Sequence, residues 1–134
     1  MISTERNEYV KYQIEKSREA LKAAEILAEN KLWTSVMNRL YYACFYMVNG
    51  LMVANKIETK THSGIKNQFS LHFVKTRIID IASGELFSDL FDWRHHGDYG
   101  SIFEIEEGEI IAHISLVKTF TDKVEAIINN TVNE

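Results

Sequence analysis

One short segment, residues 93–100, gathers side chains suited to acid–base chemistry on a phosphate ester. Arg94 is a permanent cation, and the adjacent His95 and His96 titrate near neutral pH. An arginine beside a proton acceptor is the minimum for cleaving a phosphodiester without a metal ion, because one group stabilises charge while the other moves a proton. The same residues could instead cap the C-terminus of a helix, with Asp98 pairing Arg94. Both interpretations stay open on the sequence.

A second polar group stands at the start of the most apolar stretch of the chain, residues 40–54. On a helix, Asn38 and Tyr42 share a face, and Arg39 is a neighbour of Tyr42. A buried guanidinium is costly unless it has a partner. These residues therefore either bind a ligand or form a polar network inside a helical bundle. In such a network, Arg39 would pair with an acid from another helix and Tyr42 would donate a hydrogen bond.

Residues 56–77 form the cationic region of an otherwise acidic chain, and Glu58 is its one acidic residue. The basic side chains of this range are those of Lys56, Lys60, His62, Lys66, His72, Lys75 and Arg77. We predict that Lys60 and His62 contact a phosphate backbone. The alternative is an ordinary solvated face, which is what most charged runs are.

The elements that position these side chains are predicted to be helices. The 134 residues include no proline, 46% are apolar, and the apolar positions recur with a helical period. We predict helices over about residues 4–29, 32–54, 64–76, 78–94 and 106–130, with Thr61 or Ser63 capping the third. The expected fold is all-α, an antiparallel up-and-down four-helix bundle with an additional short helix, in a single domain covering residues 1–134.

Composition narrows the functional classes. The net charge of −4 argues against coating of the whole surface by a polyanion. Residues 40–54 are too short to span a membrane, and the N-terminus has no apolar signal core. The lone Cys44 fits a reducing compartment, and His95, His96 and Asp98 lack the spacing of a metal site. We therefore expect a cytoplasmic protein with no metal, no cofactor and no membrane partner.

Four motifs follow one another along the chain: Ser35-x-x-Asn38-Arg39-x-Tyr41-Tyr42-Ala43-x-Phe45, Lys60-Thr61-His62-x-Gly64, Phe73-Val74-Lys75-Thr76 and Arg94-x-x-x-Asp98-Tyr99. In this order they resemble the HEPN domain family of prokaryotic helical-bundle proteins, over most of the chain. The resemblance implies an antiparallel bundle that commonly dimerises. Some members are metal-independent endoribonucleases, often toxins controlled by a small nucleotidyltransferase encoded alongside. Others are non-catalytic nucleotide- or RNA-binding modules.

The nuclease members carry an arginine followed, after four to six residues, by a histidine, and here those positions hold Tyr99, Gly100 and Ser101. The resemblance therefore implies a homodimer that binds nucleotide or RNA and works with a nucleotidyltransferase. Its predicted binding residues are Asn38, Arg39, Tyr42, Lys60, His62, Arg94, Asp98 and Tyr99. One alternative is a ribonuclease whose catalytic residues are Arg94 with His95 or His96. The other is a dimerisation or interaction module without catalytic activity.

Overall fold

The computed structural model describes residues 3–97 and 106–133, with the backbone alone at residues 96 and 97. Every regular element in these two ranges is helical: α1 (Thr4–Glu29), α2 (Trp33–Ala54), α3 (His62–Phe69), a π-helical segment (Ser70–Val74), α4 (Ile81–Gly97) and α5 (Glu107–Val132). The prediction of an all-α fold is confirmed. The helices α1, α2 and α5 begin and end within about two residues of their predicted bounds, since each carries a long, regular apolar stripe.

The helix α2 lies at the centre, where it packs against α1, α3, α4 and α5. Its apolar side chains point in most directions, so neighbours can bury them on several sides; Leu40, Val48 and Leu51 are completely buried. Burying one such side chain contributes roughly 1.5–3 kcal/mol. Gly50 lets α1 come close, because a Cβ there would lie 3.3 Å from Cβ of Gln13. The central position of α2 explains why its polar residues converge with those of other helices.

The third predicted helix is shorter and begins earlier than expected. The side chain of Thr61 accepts a hydrogen bond from the Gly64 amide (2.9 Å), so Thr61 is the cap and α3 begins at His62. After Phe69 the helix widens into the π-helical segment, where the Lys75 amide donates to the Ser70 carbonyl (2.8 Å). The prediction of one α-helix over residues 64–76 is therefore wrong in its start and in its geometry.

The helix α4 is displaced by three residues from the predicted range 78–94. The chain first turns through a left-handed conformation at Arg77, whose φ is 65°, and buries Ile79. The carboxylate of Asp80 then accepts a hydrogen bond from the Ser83 amide (3.1 Å), which marks the start of the helix at Ile81. The helix also ends three residues later than predicted, at Gly97, so His95 belongs to its last turn.

Candidate functional site

A hydrogen bond joins α2 to the start of α3, between the Tyr41 hydroxyl and Nδ1 of His62 (2.9 Å). Burial is the largest cause that raises the pKa of the Tyr41 phenol, and the neighbouring Tyr42 adds to it, while Arg94 opposes it. The phenol therefore stays protonated and can donate to the unprotonated Nδ1 of a neutral imidazole. In that case the imidazole proton sits on Nε2; in the other tautomer Nδ1–H donates to the Tyr41 oxygen and Nε2 can accept a proton. Either way, the bond fixes the ring orientation of His62.

Two imidazoles from different helices meet above this tyrosine. His62 stacks on Phe45 with ring centroids 4.0 Å apart, and His95 lies against Phe91 at 4.1 Å. The two imidazole centroids are 5.7 Å apart and their planes cross at 80°. Burial, then His95 and then Arg94, lower the pKa of His62, so its ring is neutral at pH 7. A neutral imidazole beside a cation can accept a proton.

Two guanidinium groups, again from different helices, lie against the ring of Tyr42. The Cζ atom of Arg39 is 5.1 Å from the ring centroid, and that of Arg94 is 5.8 Å from it. Arg39 also donates to the Oδ1 atom of Asn38 from Nε (3.3 Å) and Nη2 (3.0 Å). Within residues 3–97 and 106–133, Arg39 makes no ion pair. Its partners are a neutral amide and a neutral ring, so its positive charge is not cancelled by them.

Within the described residues, this arrangement differs from the polar network that was one of the two interpretations of the sequence. In that network Arg39 would pair with an acid, whereas its contacts in the described chain are to Asn38 and Tyr42. Tyr42 was expected to donate the hydrogen bond, whereas the bond to another helix is made by Tyr41. The reason is helical phase: Tyr41 points into the core, where it is 0% exposed, and Tyr42 points toward the partly open edge.

The structure brings six predicted residues into one cluster, which we call the arginine–histidine site: Asn38, Arg39, Tyr42, His62, Arg94 and His95. Lys60 is exposed and lies two residues before His62, on the wall of a neighbouring cleft. The side chain of His96, and the whole of Asp98 and Tyr99, lie outside the described residues. Their predicted roles, including pairing of Asp98 with Arg94, remain predictions.

Sequence reasoning missed the aromatic floor of the site, which consists of Tyr41, Phe45 and Phe91. A signal for it exists. Tyr41 and Phe45 are four residues apart, as are Phe91 and His95, and on a helix such pairs share a face. On α2, the predicted site used the face shared by Asn38 and Tyr42, and the adjacent face with Tyr41 and Phe45 was left out.

Other chemistry finds little support in the described chain. Among residues 3–97 and 106–133, no group of three or more His, Cys, Asp or Glu side chains is arranged to hold a metal ion. Cys44 is completely buried in α2, and burial raises the pKa of its thiol, so it packs as a small apolar side chain. In the same ranges, no helix combines the length and the apolar character that crossing a bilayer requires.

An all-α protein with guanidinium and imidazole groups gathered near the end of α4 is thus a candidate anion-binding or phosphodiester-cleaving protein. A family model described as HEPN domain matches residues 10–127. The chain therefore belongs to the HEPN domain family, and the resemblance read from its four motifs is confirmed.

Three relatives show what the chain is similar to in sequence. The chain is 33% identical over 126 residues to a UPF0332 protein of Thermotoga maritima, with 94% of this chain and 96% of the relative covered. Two proteins of Methanocaldococcus jannaschii, each named "Putative toxin", are 33% and 30% identical to it. These alignments cover 75% and 93% of this chain and 69% and 92% of the two relatives.

Proposed function

We propose that this HEPN protein binds RNA or a nucleotide through phosphate contacts at the arginine–histidine site. The observation that carries the proposal is the pair of guanidinium groups of Arg39 and Arg94, which two different helices place on the single ring of Tyr42. Cation–π attraction places both groups on the ring, and Arg39 makes no ion pair within residues 3–97 and 106–133. The planar fork of N–H donors on a guanidinium matches the oxygens of a phosphate.

Within the described residues, the neighbours of Arg39 leave its charge available for a phosphate. Arg39 is held by a neutral amide and a neutral ring, and His62 adds a ring nitrogen next to the two cations. Lys60, exposed just before α3, adds a further positive charge at the edge. The whole chain has a net charge of −4, so its surface is not generally basic. Clustered cations on such a chain therefore favour a local binding site for an anion.

The proposal extends to the biological setting. Two relatives carry toxin in their names, which supports a cytoplasmic toxin–antitoxin-type system. The nucleotidyltransferase partner and the homodimer come from the family resemblance alone. Copurification with a nucleotidyltransferase and the molar mass in solution by light scattering are the measurements that test them.

Anisotropy titration of fluorescently labelled RNA with purified protein tests the site itself. We expect Arg39→Ala and Arg94→Ala each to weaken RNA binding by about tenfold or more, since a charge-assisted hydrogen bond contributes roughly 1.5–3 kcal/mol. Arg18→Ala is the matched control, because Arg18 pairs with Glu125 on α5, away from the site. It removes the same charge and should leave RNA affinity unchanged.

Thermal unfolding of the same variants separates binding from packing. If Arg39→Ala and Arg94→Ala lower the melting temperature but leave RNA affinity unchanged, the charged residues serve the fold. The proposal is then wrong, and the dimerisation or interaction module is the better description.

A second candidate function, metal-independent RNA cleavage, is favoured by one observation: the imidazoles of His62 and His95 lie 5.7 Å apart beside Arg94. Sequence reasoning gave the catalytic role to His95 or His96 and gave His62 a binding role. The structure adds His62 as a neutral imidazole held by the Tyr41 hydroxyl. A neutral and a protonated imidazole would form an acid–base pair.

In this candidate function, the nucleophile is a 2′-hydroxyl group of the RNA itself. In the tautomer whose Nδ1–H donates to the Tyr41 oxygen, Nε2 of His62 takes the proton from a ribose 2′-hydroxyl, and the 2′-oxygen attacks the adjacent phosphorus atom. The bond from phosphorus to the 5′-oxygen breaks, and His95 in its protonated form gives that oxygen a proton. Arg94 stabilises the negative charge on the phosphoryl oxygens. The products are a 2′,3′-cyclic phosphate and a 5′-hydroxyl end.

Incubation of RNA with the protein in EDTA tests cleavage. We expect products with these two ends, and we expect His62→Gln and His95→Gln to abolish them while RNA binding persists. His72→Gln is the matched control, since His72 is bonded to Gln68 on the exposed side of the π-helical segment. RNA that stays intact with the unmodified protein rules out the cleavage function and leaves the binding function in place.

A further inference from the structure

Two large aromatic side chains stand exposed on α1, away from the core. Tyr9 is 46% exposed and Tyr12 is 51% exposed, and their ring centroids are 6.5 Å apart. They occupy the same face of the helix as Arg6 and Lys16, one turn before and one turn after them. Because the two rings are neighbours, they form one continuous exposed surface that a partner can cover.

Lys16 connects these rings to α2. Its Nζ atom lies 5.8 Å from the ring centroid of Tyr12 and 5.8 Å from that of Tyr46. A cation that bridges two rings from adjacent helices fixes their relative position. The exposed rings of α1 therefore continue onto α2 without a break.

The path continues along α2 to the arginine–histidine site. The ring centroids of Tyr46 and Tyr42 are 5.7 Å apart, and Tyr42 is the ring that Arg39 and Arg94 contact. We call this continuous row the aromatic track; in order, its members are Tyr9, Tyr12, Lys16, Tyr46 and Tyr42. One cation, Lys16, lies between two pairs of rings, one pair on each helix.

The far end of the aromatic track opens into a cleft of about 410 Å³ between the start of α1 and the end of α2. Tyr9 lines this cleft together with three basic residues, Arg6, Lys56 and Lys60. Glu58 is the acidic residue among the described lining residues. Both ends of the track thus carry clustered positive charge, and Lys60 lies two residues from His62 of the arginine–histidine site.

We infer that the aromatic track binds single-stranded RNA as an extension of the arginine–histidine site. The inference rests on the proposed function, to which it adds the form of the RNA and its path. A duplex hides its bases, whereas a single strand can stack them on exposed rings while cations follow its phosphates. The track supplies exposed or partly exposed rings for the bases, with cations between the two pairs of rings and at both ends for the phosphates.

The length of the path sets the length of RNA that it accommodates. Arg39 lies near the start of α2, and Val53, which lines the cleft, lies near its end; at 1.5 Å per residue they are about 21 Å apart along the helix. At a rise of about 3.4 Å per stacked nucleotide, this distance corresponds to roughly six nucleotides. A trinucleotide can occupy the arginine–histidine site alone, whereas a dodecanucleotide can cover the whole track.

Anisotropy titrations with labelled oligouridylates of three and twelve nucleotides test the inference. We expect the intact protein to bind the twelve-nucleotide RNA more tightly. Tyr12→Ala should weaken that binding by about tenfold and leave the three-nucleotide RNA unaffected, because one stacked base contributes roughly tenfold in affinity. Tyr12→Phe keeps the stacking face and should retain the affinity. Because the Tyr12 side chain is half exposed, its removal should leave the fold intact, and circular dichroism checks the fold of each variant.

Charge variants sharpen the test. A plot of log affinity against log salt concentration has a negative slope. For the twelve-nucleotide RNA, Lys16→Ala should reduce the magnitude of that slope by about 0.7, the value for one lost phosphate contact. Lys22→Ala is its control, since Lys22 lies on the same helix but lines a different cleft, between α1 and α5. Glu58→Gln removes a repelling charge from the basic cleft and should raise the affinity severalfold.

The outcomes separate this inference from the proposed function. If both RNAs bind equally, or if Tyr12→Ala leaves the longer one unaffected, the track is refuted. Three-nucleotide binding that depends on Arg39 would still support the proposed function. If neither RNA binds, both proposals fail. Displacement of the longer RNA by an acidic peptide of equal charge would also overturn the track, because it would show a site that reads charge without stacking.

Discussion

Charged side chains near the two ends of α4 contact different kinds of group. Where the helix begins, Nζ of Lys123 on α5 lies 3.0 Å from the Asp80 carboxylate, which also accepts a 2.7 Å hydrogen bond from the Ser83 hydroxyl. These bonds, with that to Ser83 as the largest cause, hold the pKa of Asp80 at about 2. Near the end of the helix, the guanidinium of Arg94 lies over the ring of Tyr42, which Arg39 of α2 also contacts.

The difference shows what each end is suited to do. At the start of α4, opposite charges satisfy each other within the protein, and such a junction positions helices without inviting a ligand. At the other end, Arg39 is held by neutral groups in the described chain, and its charge is still available to an external anion. A cation held by an amide and a ring, as Arg39 is within the described residues, therefore distinguishes the site from the scaffold.

The largest expected effect is on stability, from the floor of the site. Tyr41→Ala should lower the free energy of unfolding by about 3–5 kcal/mol, because it empties a fully buried position. Tyr41→Phe should cost about 1 kcal/mol through the lost bond to His62. Urea unfolding measures both. Equal losses in the two variants would mean that the hydroxyl, and not the ring, carries the stability.

A smaller effect is expected at the close contact between α4 and the π-helical segment. A Cβ at position 84 would lie 2.9 Å from both γ carbons of Val74, so Gly84→Ala should destabilise the protein by about 1–3 kcal/mol. Gly108→Ala is the matched control on α5, since its Cβ would meet no atom within 4 Å. That variant should be stabilising by up to about 1 kcal/mol, as alanine favours helices. Thermal unfolding compares the two.

The junction itself should contribute stability but not binding. Asp80→Ala removes the cap of α4 and the partner of Lys123, and should cost about 1 kcal/mol in unfolding free energy. RNA affinity should stay unchanged, in contrast to Arg39→Ala. Loss of RNA affinity in Asp80→Ala would show that the two ends of α4 are coupled and would undermine the comparison.

The smallest effect is the dependence of stability on pH, which should divide between the two ends. The folded state lowers the pKa of His62, so its contribution is complete above about pH 6.5 and declines as pH falls below that. The contribution of Asp80 is complete above about pH 4 and is lost as pH falls through about 2. Urea unfolding at several pH values should show that His62→Gln flattens the first range and Asp80→Asn the second.

The helices could be predicted where one physical signal dominates. The stripe of α1 and the apolar run of α2 determine their bounds almost to the residue. The start of α4 could not be read this way, because apolar Ile78 and Ile79 look like a first helical turn. In the structure, Ile79 is buried in a turn that follows the left-handed Arg77, and Asp80 caps the helix.

The charged members of the site and Tyr42 were predicted, whereas its aromatic floor of Tyr41, Phe45 and Phe91 was not. Arg39, Arg94 and His95 are conspicuous in sequence, because charges in apolar surroundings are costly. Their arrangement depends on how α2, α3 and α4 pack, and local spacing does not contain that information. Tyr41 shows the limit: next to Tyr42 it looks equivalent, but one residue of helical rotation, about 100°, separates a buried hydrogen-bond donor from a ring at the edge.

The π-helical segment Ser70–Val74 has a consequence for tolerance to deletion. A π turn contains one residue more than an α turn, so loss of a single residue there leaves an ordinary α-helical turn and not a broken one. Leu71, which is 49% exposed, is the position whose removal would sacrifice least of the core. A chain shortened by this one residue could keep both ends of α4 in place, and members of the family that differ in length by one would be able to share the same architecture.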